Sequence, residues 1–97
     1  MTIAKALITL DLNDVTETQR DKFYEQLEKK EWNKLTDLTT TWEKNKKINK
    51  DNEQNYEFGK IEDECRNDIK FAKKASGVKS VDMAIHVGLR QIVEDHI

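Results

Sequence analysis

Residues 3–12 read IAKALITLDL, with apolar side chains at every second position of one face. A period of two is typical of a β-strand that buries one of its faces. Residues 81–87, VDMAIHV, repeat the pattern near the end of the chain. The buried positions would be Ala4, Ala6, Ile8, Leu10 and Leu12 in the first strand and Val81, Met83, Ile85 and Val87 in the last. The segments enclosed by these two strands therefore decide the fold.

A first helix is predicted directly after the first strand. Thr16 and Gln19 have the spacing of a capping box, in which each side chain hydrogen-bonds the backbone N–H of the other. We therefore expect a helix at Glu17 to Lys30. Its apolar stripe consists of Phe23, Tyr24 and Leu27.

A second, longer helix is predicted at Glu53 to Ser76, where apolar residues recur at steps of three and four. Its stripe consists of Phe58, Ile61, Cys65, Ile69, Ala72 and Ser76. Asp51 or Asn52 can cap its start, and Gly77 can adopt the left-handed conformation that ends a helix. Cys65 lies on the buried stripe, which favours a small core residue over a nucleophile.

The segment between the helices reads as extended chain. Residues 32–44 are rich in threonine and tryptophan, which suit a pleated surface. One strand or two short strands folded near residues 36–38 would fit, and a right-handed crossover favours two. Residues 45–51 are polar and unpatterned, so we expect a surface loop there.

This order of elements, βαββαβ, predicts a single α+β domain over residues 1–97. Its architecture would be a ferredoxin-like two-layer sandwich, with two helices on one face of a small antiparallel sheet in the order 4-1-3-2. The other face of the sheet would stay free for a partner.

Composition limits the function classes. The 97 residues are 36% hydrophobic and carry 17 basic and 19 acidic side chains, so there is no strong overall field that would attract nucleic acid. A single cysteine excludes an intrachain disulfide, and no segment has the length and hydrophobicity of a membrane span. The N-terminus lacks the pattern of a signal peptide, so we expect a cytoplasmic protein.

The low apolar content also predicts a homodimer, because a second copy would bury edge strands or the free face of the sheet. Ile3, Leu7 and Ala84 would otherwise form an exposed apolar strip on that face. Leu89, Ile92, Val93 and Ile97 at the C-terminus could add to the contact.

Four short segments carry a resemblance to a known family: residues 8–12 with their acid, residues 32–35 (WNKL), residues 41–42 (TW) and residues 81–85. In this order the chain resembles the ferredoxin-like superfamily of virulence-associated protein D, which includes small CRISPR adaptation endoribonuclease-like proteins and certain RNA-cleaving antitoxins. It departs from the family where Thr36, Asp37 and the threonine run at 39–41 replace the glutamine and serine usual in the middle strands. The family's closing strand exchange is also not recognisable in residues 89–97.

The resemblance implies a role for Asp11, which corresponds to the family's acidic residue at the end of strand one. In a 4-1-3-2 sheet the start of the last strand meets this position, so Asp11 and Asp82 would share one edge of the helix-free face. Two such carboxylates could hold Mg²⁺ for phosphodiester cleavage, with a second pair from a symmetry mate. The simpler interpretation is two solvated acids at strand ends.

His86 lies on the same predicted face. An imidazole can act as a general base near neutral pH, but four residues of strand would separate it from Asp82 by roughly 13 Å. A surface histidine outside any active site is therefore the simpler interpretation.

The one basic run lies at residues 42–50. Lys44, Lys46, Lys47 and Lys50 follow Trp42, an aromatic residue that could stack on a base or, if exposed, anchor a protein partner. These five residues are the candidate partner-binding set. Since no arginine lies within the run and acids flank it, we expect a protein partner, with RNA as a second possibility.

Two function classes follow. The first is a non-enzymatic binding or regulatory protein, such as an antitoxin, immunity protein or phage-encoded inhibitor, that occludes a macromolecular partner and needs no cofactor. The second is a Mg²⁺-dependent endoribonuclease that uses Asp11 and Asp82. We favour the first, because the sequence contains neither a glycine-rich phosphate loop nor a Ser/His/Asp arrangement.

Overall fold

The computed structural model describes residues 2–35, 40–48 and 54–89. Along these residues the elements are β1 (Thr2–Asn13), α1 (Glu17–Lys29), β2 (Asn33–Lys34), β3 (Thr41–Ile48), α2 (Gln54–Ser76) and β4 (Ser80–Gly88). The four strands form an antiparallel sheet in the order β2-β3-β1-β4, and the two helices share a core with one face of it. The predicted ferredoxin-like α+β sandwich is confirmed, including the pairing of the first strand with the last.

The alternation in β1 places its even-numbered residues under the helices. Ala4, Ala6, Ile8 and Leu10 are all buried, while Ile3 and Thr9 are exposed on the opposite face. β1 is a central strand, since β3 and β4 pair with its two edges. Its buried face therefore forms the floor of the core on which both helices pack.

The capping box that starts α1 is confirmed. The Gln19 backbone N–H donates to Thr16 Oγ1, and the Thr16 N–H donates to Gln19 Oε1, each at 3.1 Å. Gln19 Nε2 also donates to the carbonyl of Gly77 at 3.2 Å, which connects the start of α1 to the turn that follows α2. Phe23 and Leu27 are buried as predicted.

α1 ends in a Schellman motif without a glycine. Glu31 adopts a left-handed conformation, with φ of 68°. Its N–H donates to the carbonyl of Glu28, and the N–H of Trp32 donates to the carbonyl of Leu27, both at 3.0 Å. The reversal directs Trp32 into the core beside the helix that it follows.

α2 buries the stripe expected of it. Ile61, Cys65, Ile69, Ala72 and Ser76 are buried, and Phe58 is partly buried against the core. The helix ends at Gly77, which has φ of +78° and donates its N–H to the carbonyl of Lys73 at 3.1 Å. The predicted caps Asp51 and Asn52 lie outside the described residues. In the part of the chain that is described, neither helix is long and apolar enough to cross a membrane.

The middle segment contains two strands, as predicted, but the second is longer than expected. β2 pairs with β3 through Asn33 opposite Glu43 and Lys34 opposite Trp42. The predicted fold at residues 36–38 lies outside the described residues. β3 continues to Ile48, so the prediction of a surface loop was wrong for residues 45–48.

Candidate functional site

One face of the sheet is left uncovered by the helices, and we call it the open face. Most of its residues belong to β1, β3 and β4, and β1 pairs with each of the other two in a continuous antiparallel register. On β1, β3 and β4 the open face consists of Ile3, Lys5, Leu7, Thr9, Asp11 and Asn13 of β1, of Thr41, Glu43, Asn45 and Lys47 of β3, and of Ser80, Asp82, Ala84, His86 and Gly88 of β4. Of the predicted apolar strip, Ile3 and Ala84 are exposed and Leu7 is half-buried. Ile3 lies near the start of β1, and Lys5 is between it and Leu7 on this face.

Asp11 and Asp82 lie directly opposite one another in the pairing of β1 with β4, and both are exposed. Their predicted meeting at one edge of the open face is confirmed. Like charges at facing positions destabilise a sheet. Asn13 relieves Asp82 in part, since its Nδ2 donates to Asp82 Oδ2 at 3.1 Å and lies 3.3 Å from Ser80 Oγ. Across residues 2–35, 40–48 and 54–89, no third carboxylate, histidine or cysteine completes a metal-ligand cluster with this pair.

His86 lies farther along the open face and faces Leu7 of β1. It is four strand positions from Asp82, as the sequence predicted, so the imidazole and the two carboxylates are not one cluster. The ring leans over Gly88, where a side-chain carbon would lie 3.4 Å from His86 Nε2. A glycine at position 88 therefore leaves room for this orientation of the imidazole.

The basic run does not form one surface, because β3 is a strand and its side chains alternate between two faces. Lys44 and Lys46 lie on the helix side and form ion pairs with α2: Lys44 Nζ is 3.1 Å from Asp68 Oδ2, and Lys46 Nζ is 2.7 Å from Glu64 Oε2. Among the described lysines of this run, only Lys47 is on the open face. Lys50 lies outside the described residues.

Trp42 is a core residue, so the condition for its role as an exposed anchor is not met. The indole is 1% exposed and packs against Tyr24, with ring centroids 5.2 Å apart. Its Nε1–H is buried without a hydrogen-bond partner. A partner could reach this side chain only by opening the sandwich.

Sequence reasoning missed a polar network beneath α2. Trp32 Nε1 donates to Asp68 Oδ2 at 3.0 Å, and Lys44 Nζ donates to the same oxygen at 3.1 Å. Lys44 also lies 5.7 Å from the centre of the Trp32 ring, within the range of a cation–π contact. The signal was present in the spacing: Glu64 and Asp68 are one helical turn apart, and Lys44 and Lys46 are on one face of a strand.

Cys65 is buried next to this network. Burial, and after it the nearby carboxylate of Asp68, raises the pKa of its thiol to about 11. The thiol is therefore protonated at neutral pH, and the predicted burial of Cys65 in the core is confirmed.

A groove runs between α2 and β4 on the helix side of the sheet. It encloses about 430 Å³, with an apolar floor and a charged rim along the helix. The floor is Ile69, Val81, Met83 and Ile85, and the rim is Glu62, Arg66, Lys70 and Lys73. The three floor residues of β4 are only half-buried, so α2 does not cover the outer strand completely.

In comparisons with known proteins the chain matches no family model, and neither a curated protein nor a solved structure shows significant similarity to it.

Proposed function

We propose that this protein is a non-enzymatic binding protein that regulates a macromolecular partner by covering it with the open face of the sheet. The supporting observation is the composition of that face. Ile3, Leu7 and Ala84 supply apolar contact area, and charged or polar side chains lie between and around them. Apolar contact area combined with polar and charged side chains is typical of a protein–protein interface.

The charges on the open face favour a protein over RNA as the partner. Asp11 and Asp82 lie side by side and would repel a phosphate backbone. The positive charge of Lys5 is offset by Glu43, whose Oε2 lies 3.4 Å from Lys5 Nζ. Lys47 is then the one exposed cation of the described open face without an ion pair. An antitoxin, an immunity protein or an inhibitor of a defence system would act by such occlusion.

The first prediction compares two exposed apolar residues on opposite layers of the sandwich. Ile3 is 51% exposed on the open face and Phe71 is 50% exposed on α2. Ile3→Glu is expected to weaken partner binding by about tenfold or more, since a charge would be buried in the contact, whereas Phe71→Glu is expected to leave it unchanged. The measurement is quantitative capture from native host cells, followed by titration of the captured protein in purified form.

Two results would contradict this proposal. One is equal binding by the Ile3→Glu and Phe71→Glu variants, which would place the contact elsewhere on the molecule. The other is stronger capture of RNA than of any protein by the wild type, with release of that RNA at high salt.

The arrangement of Asp11 and Asp82 favours a second candidate function, a Mg²⁺-dependent endoribonuclease like members of the family that the sequence resembles. Mg²⁺ is commonly held by one or two carboxylates and keeps several waters, so this facing, exposed pair fits the minimum ligand set. A bound ion would activate water and neutralise charge on the scissile phosphate. The two carboxylates would hold it at the edge of the open face.

A cleavage assay on single-stranded RNA separates the two functions. Under the binding proposal, wild-type protein does not cleave RNA with Mg²⁺ present. Asp14→Asn is the matched control for Asp11→Asn, because Asp14 is also exposed but lies outside β1. Cleavage that is abolished by a chelator and by Asp11→Asn, and retained in Asp14→Asn, would replace the binding proposal with the enzyme.

A further inference from the structure

The two edges of the sheet differ in a way that bears on assembly. The β2 edge is two residues long, and both residues, Asn33 and Lys34, are exposed and polar. The β4 edge runs for nine residues, Ser80–Gly88. Short edge strands and edge lysines are devices that prevent sheets from pairing with one another. The β2 edge has both of these devices, and the β4 edge has neither.

β4 also lacks the irregularities that normally protect an edge. Its register with β1 is unbroken from Asn13 opposite Ser80 to Lys5 opposite Gly88, so it contains no bulge. The chain has no proline, and the residues of β4 include no lysine. A long, regular outer strand presents a row of backbone N–H and C=O groups that can hydrogen-bond another strand.

The side chains of β4 are complementary to those of an antiparallel copy of β4. We propose that two copies of this protein pair along β4 about a two-fold axis that passes through Ala84, perpendicular to the sheet. Asp82 of each copy then faces His86 of the other on the open face, and the two Ala84 residues face each other. On the helix side Met83 faces Ile85 and Val81 faces Val87, so all facing pairs are apolar.

Neighbouring registers lack this match. An axis through Met83 places Asp82 opposite Ala84 of the second copy, and an axis through Ile85 places it opposite Gly88. An axis through Asp82 would bring the two Asp82 carboxylates together, although each already faces Asp11 of its own copy. The Ala84 axis instead gives this acidic pair a histidine on its other side.

A second copy also covers the apolar floor of the groove. Val81, Met83 and Ile85 are half-exposed beside α2, and the same residues of the second copy would lie next to them. α2 ends where β4 begins, so it runs antiparallel to β4, and the two-fold axis reverses its direction in the second copy. Glu62 on the groove rim of one copy is then directed toward Lys70 and Lys73 on the groove rim of the other copy.

This assembly is independent of the proposed partner-binding function. Pairing at β4 would leave both open faces on the same side of an eight-stranded sheet, and a partner would meet a surface of twice the width. A dimer formed by contact of the two open faces would instead hide Ile3 and Leu7 from any partner. Pairing at the edge would therefore use Ala84 of the open face but leave Ile3 and Leu7 accessible.

Sedimentation of the full chain over a concentration series tests the pairing. The wild type is expected to approach twice the monomer mass as concentration rises. Ala84→Lys places two like charges at the axis and is expected to raise the dissociation constant by about tenfold or more. Thr9→Lys adds the same charge at the facing position of β1, one strand inward from the edge, and is expected to leave it nearly unchanged.

A charge exchange tests the register. His86→Asp would bring two acids together at two symmetric positions, and is expected to weaken the dimer by about tenfold or more. The double variant with Asp82→Lys and His86→Asp restores opposite charges and is expected to recover the wild-type affinity. All of these side chains are exposed, and circular dichroism confirms that each variant is folded.

Three outcomes would overturn the proposal. A wild-type protein that stays at the monomer mass at every concentration would show that no dimer forms. An equal loss of dimer affinity in Thr9→Lys and Ala84→Lys would show that the contact lies on the open face and not at the edge. Failure of the double variant to recover affinity excludes the Ala84 register.

Discussion

Trp42→Ala is expected to lower the free energy of unfolding by about 3–5 kcal/mol, because the change leaves a large cavity in the core. The side chain is 1% exposed and its ring contacts Tyr24, so the space could be refilled only if the sheet and α1 moved closer together. A typical domain of this size is stable by roughly 5–15 kcal/mol, so the loss is a large share of the total. Urea unfolding followed by circular dichroism at one fixed protein concentration measures it.

Tyr56→Ala is the control for this change, since Tyr56 is an aromatic residue that is 60% exposed on α2. We expect its free energy of unfolding to change by less than about 1 kcal/mol. A comparably small loss in Trp42→Ala would show that the indole is not part of the core. Any loss of partner binding in Trp42→Ala would report loss of the folded state and not loss of a contact.

The second large effect comes from a matched pair of substitutions, Trp32→Phe and Trp42→Phe. Both indoles are at least 98% buried, and both changes remove the same atoms from the core. Trp32 donates Nε1–H to the Asp68 carboxylate, whereas Trp42 Nε1–H has no acceptor. Trp32→Phe is therefore expected to cost about 1.5–3 kcal/mol more than Trp42→Phe, the usual contribution of a hydrogen bond to a charged group.

The same unfolding experiment decides this comparison. Equal losses in the two variants would mean that the bond from Trp32 to Asp68 contributes nothing to stability. Asp68→Asn provides an internal check, because an amide oxygen can still accept from Trp32 while the charge that pairs with Lys44 is removed.

The fold could be predicted where local signals and burial agree. Residues 3–12 alternate in β1 as the sheet requires, and Thr16 and Gln19 specify the start of α1 without help from the rest of the chain. Gly77 ends α2 because the left-handed conformation is accessible to glycine. Each of these signals lies within a few residues of the structure that it predicts.

The end of β3 could not be read in this way, because its inward positions are occupied by charge. Trp42, Lys44, Lys46 and Ile48 share the helix side, so a hydropathy pattern shows an apolar residue only at the two ends. The lysines are tolerated there because their ammonium groups form ion pairs with Asp68 and Glu64 of α2. This pairing joins residues about 20 positions apart, and a search for local periodicity does not detect it.

The position of the two aspartates could be predicted from the sequence, but the role of Trp42 could not. The facing of Asp11 and Asp82 follows from strand order and alternation alone. The fate of Trp42 depends on which face of β3 it occupies, and that required the register with β1, in which it faces the buried Ile8. Trp42 and the lysines at 44, 46 and 47 are close together in the sequence, but the pleat of β3 places Lys47 on the open face and the others on the helix side.

The hydrogen bond from Gln19 to the Gly77 carbonyl bears on how the protein opens locally. One side chain caps the start of α1 and also bonds the turn between α2 and β4, so fraying at either place breaks this connection. Asn13 and Ser80, where β1 and β4 meet, are joined at the same end of the sheet. We therefore expect the start of α1 and the turn after α2 to open together, so that hydrogen exchange would show their amide protons becoming accessible to solvent at similar rates.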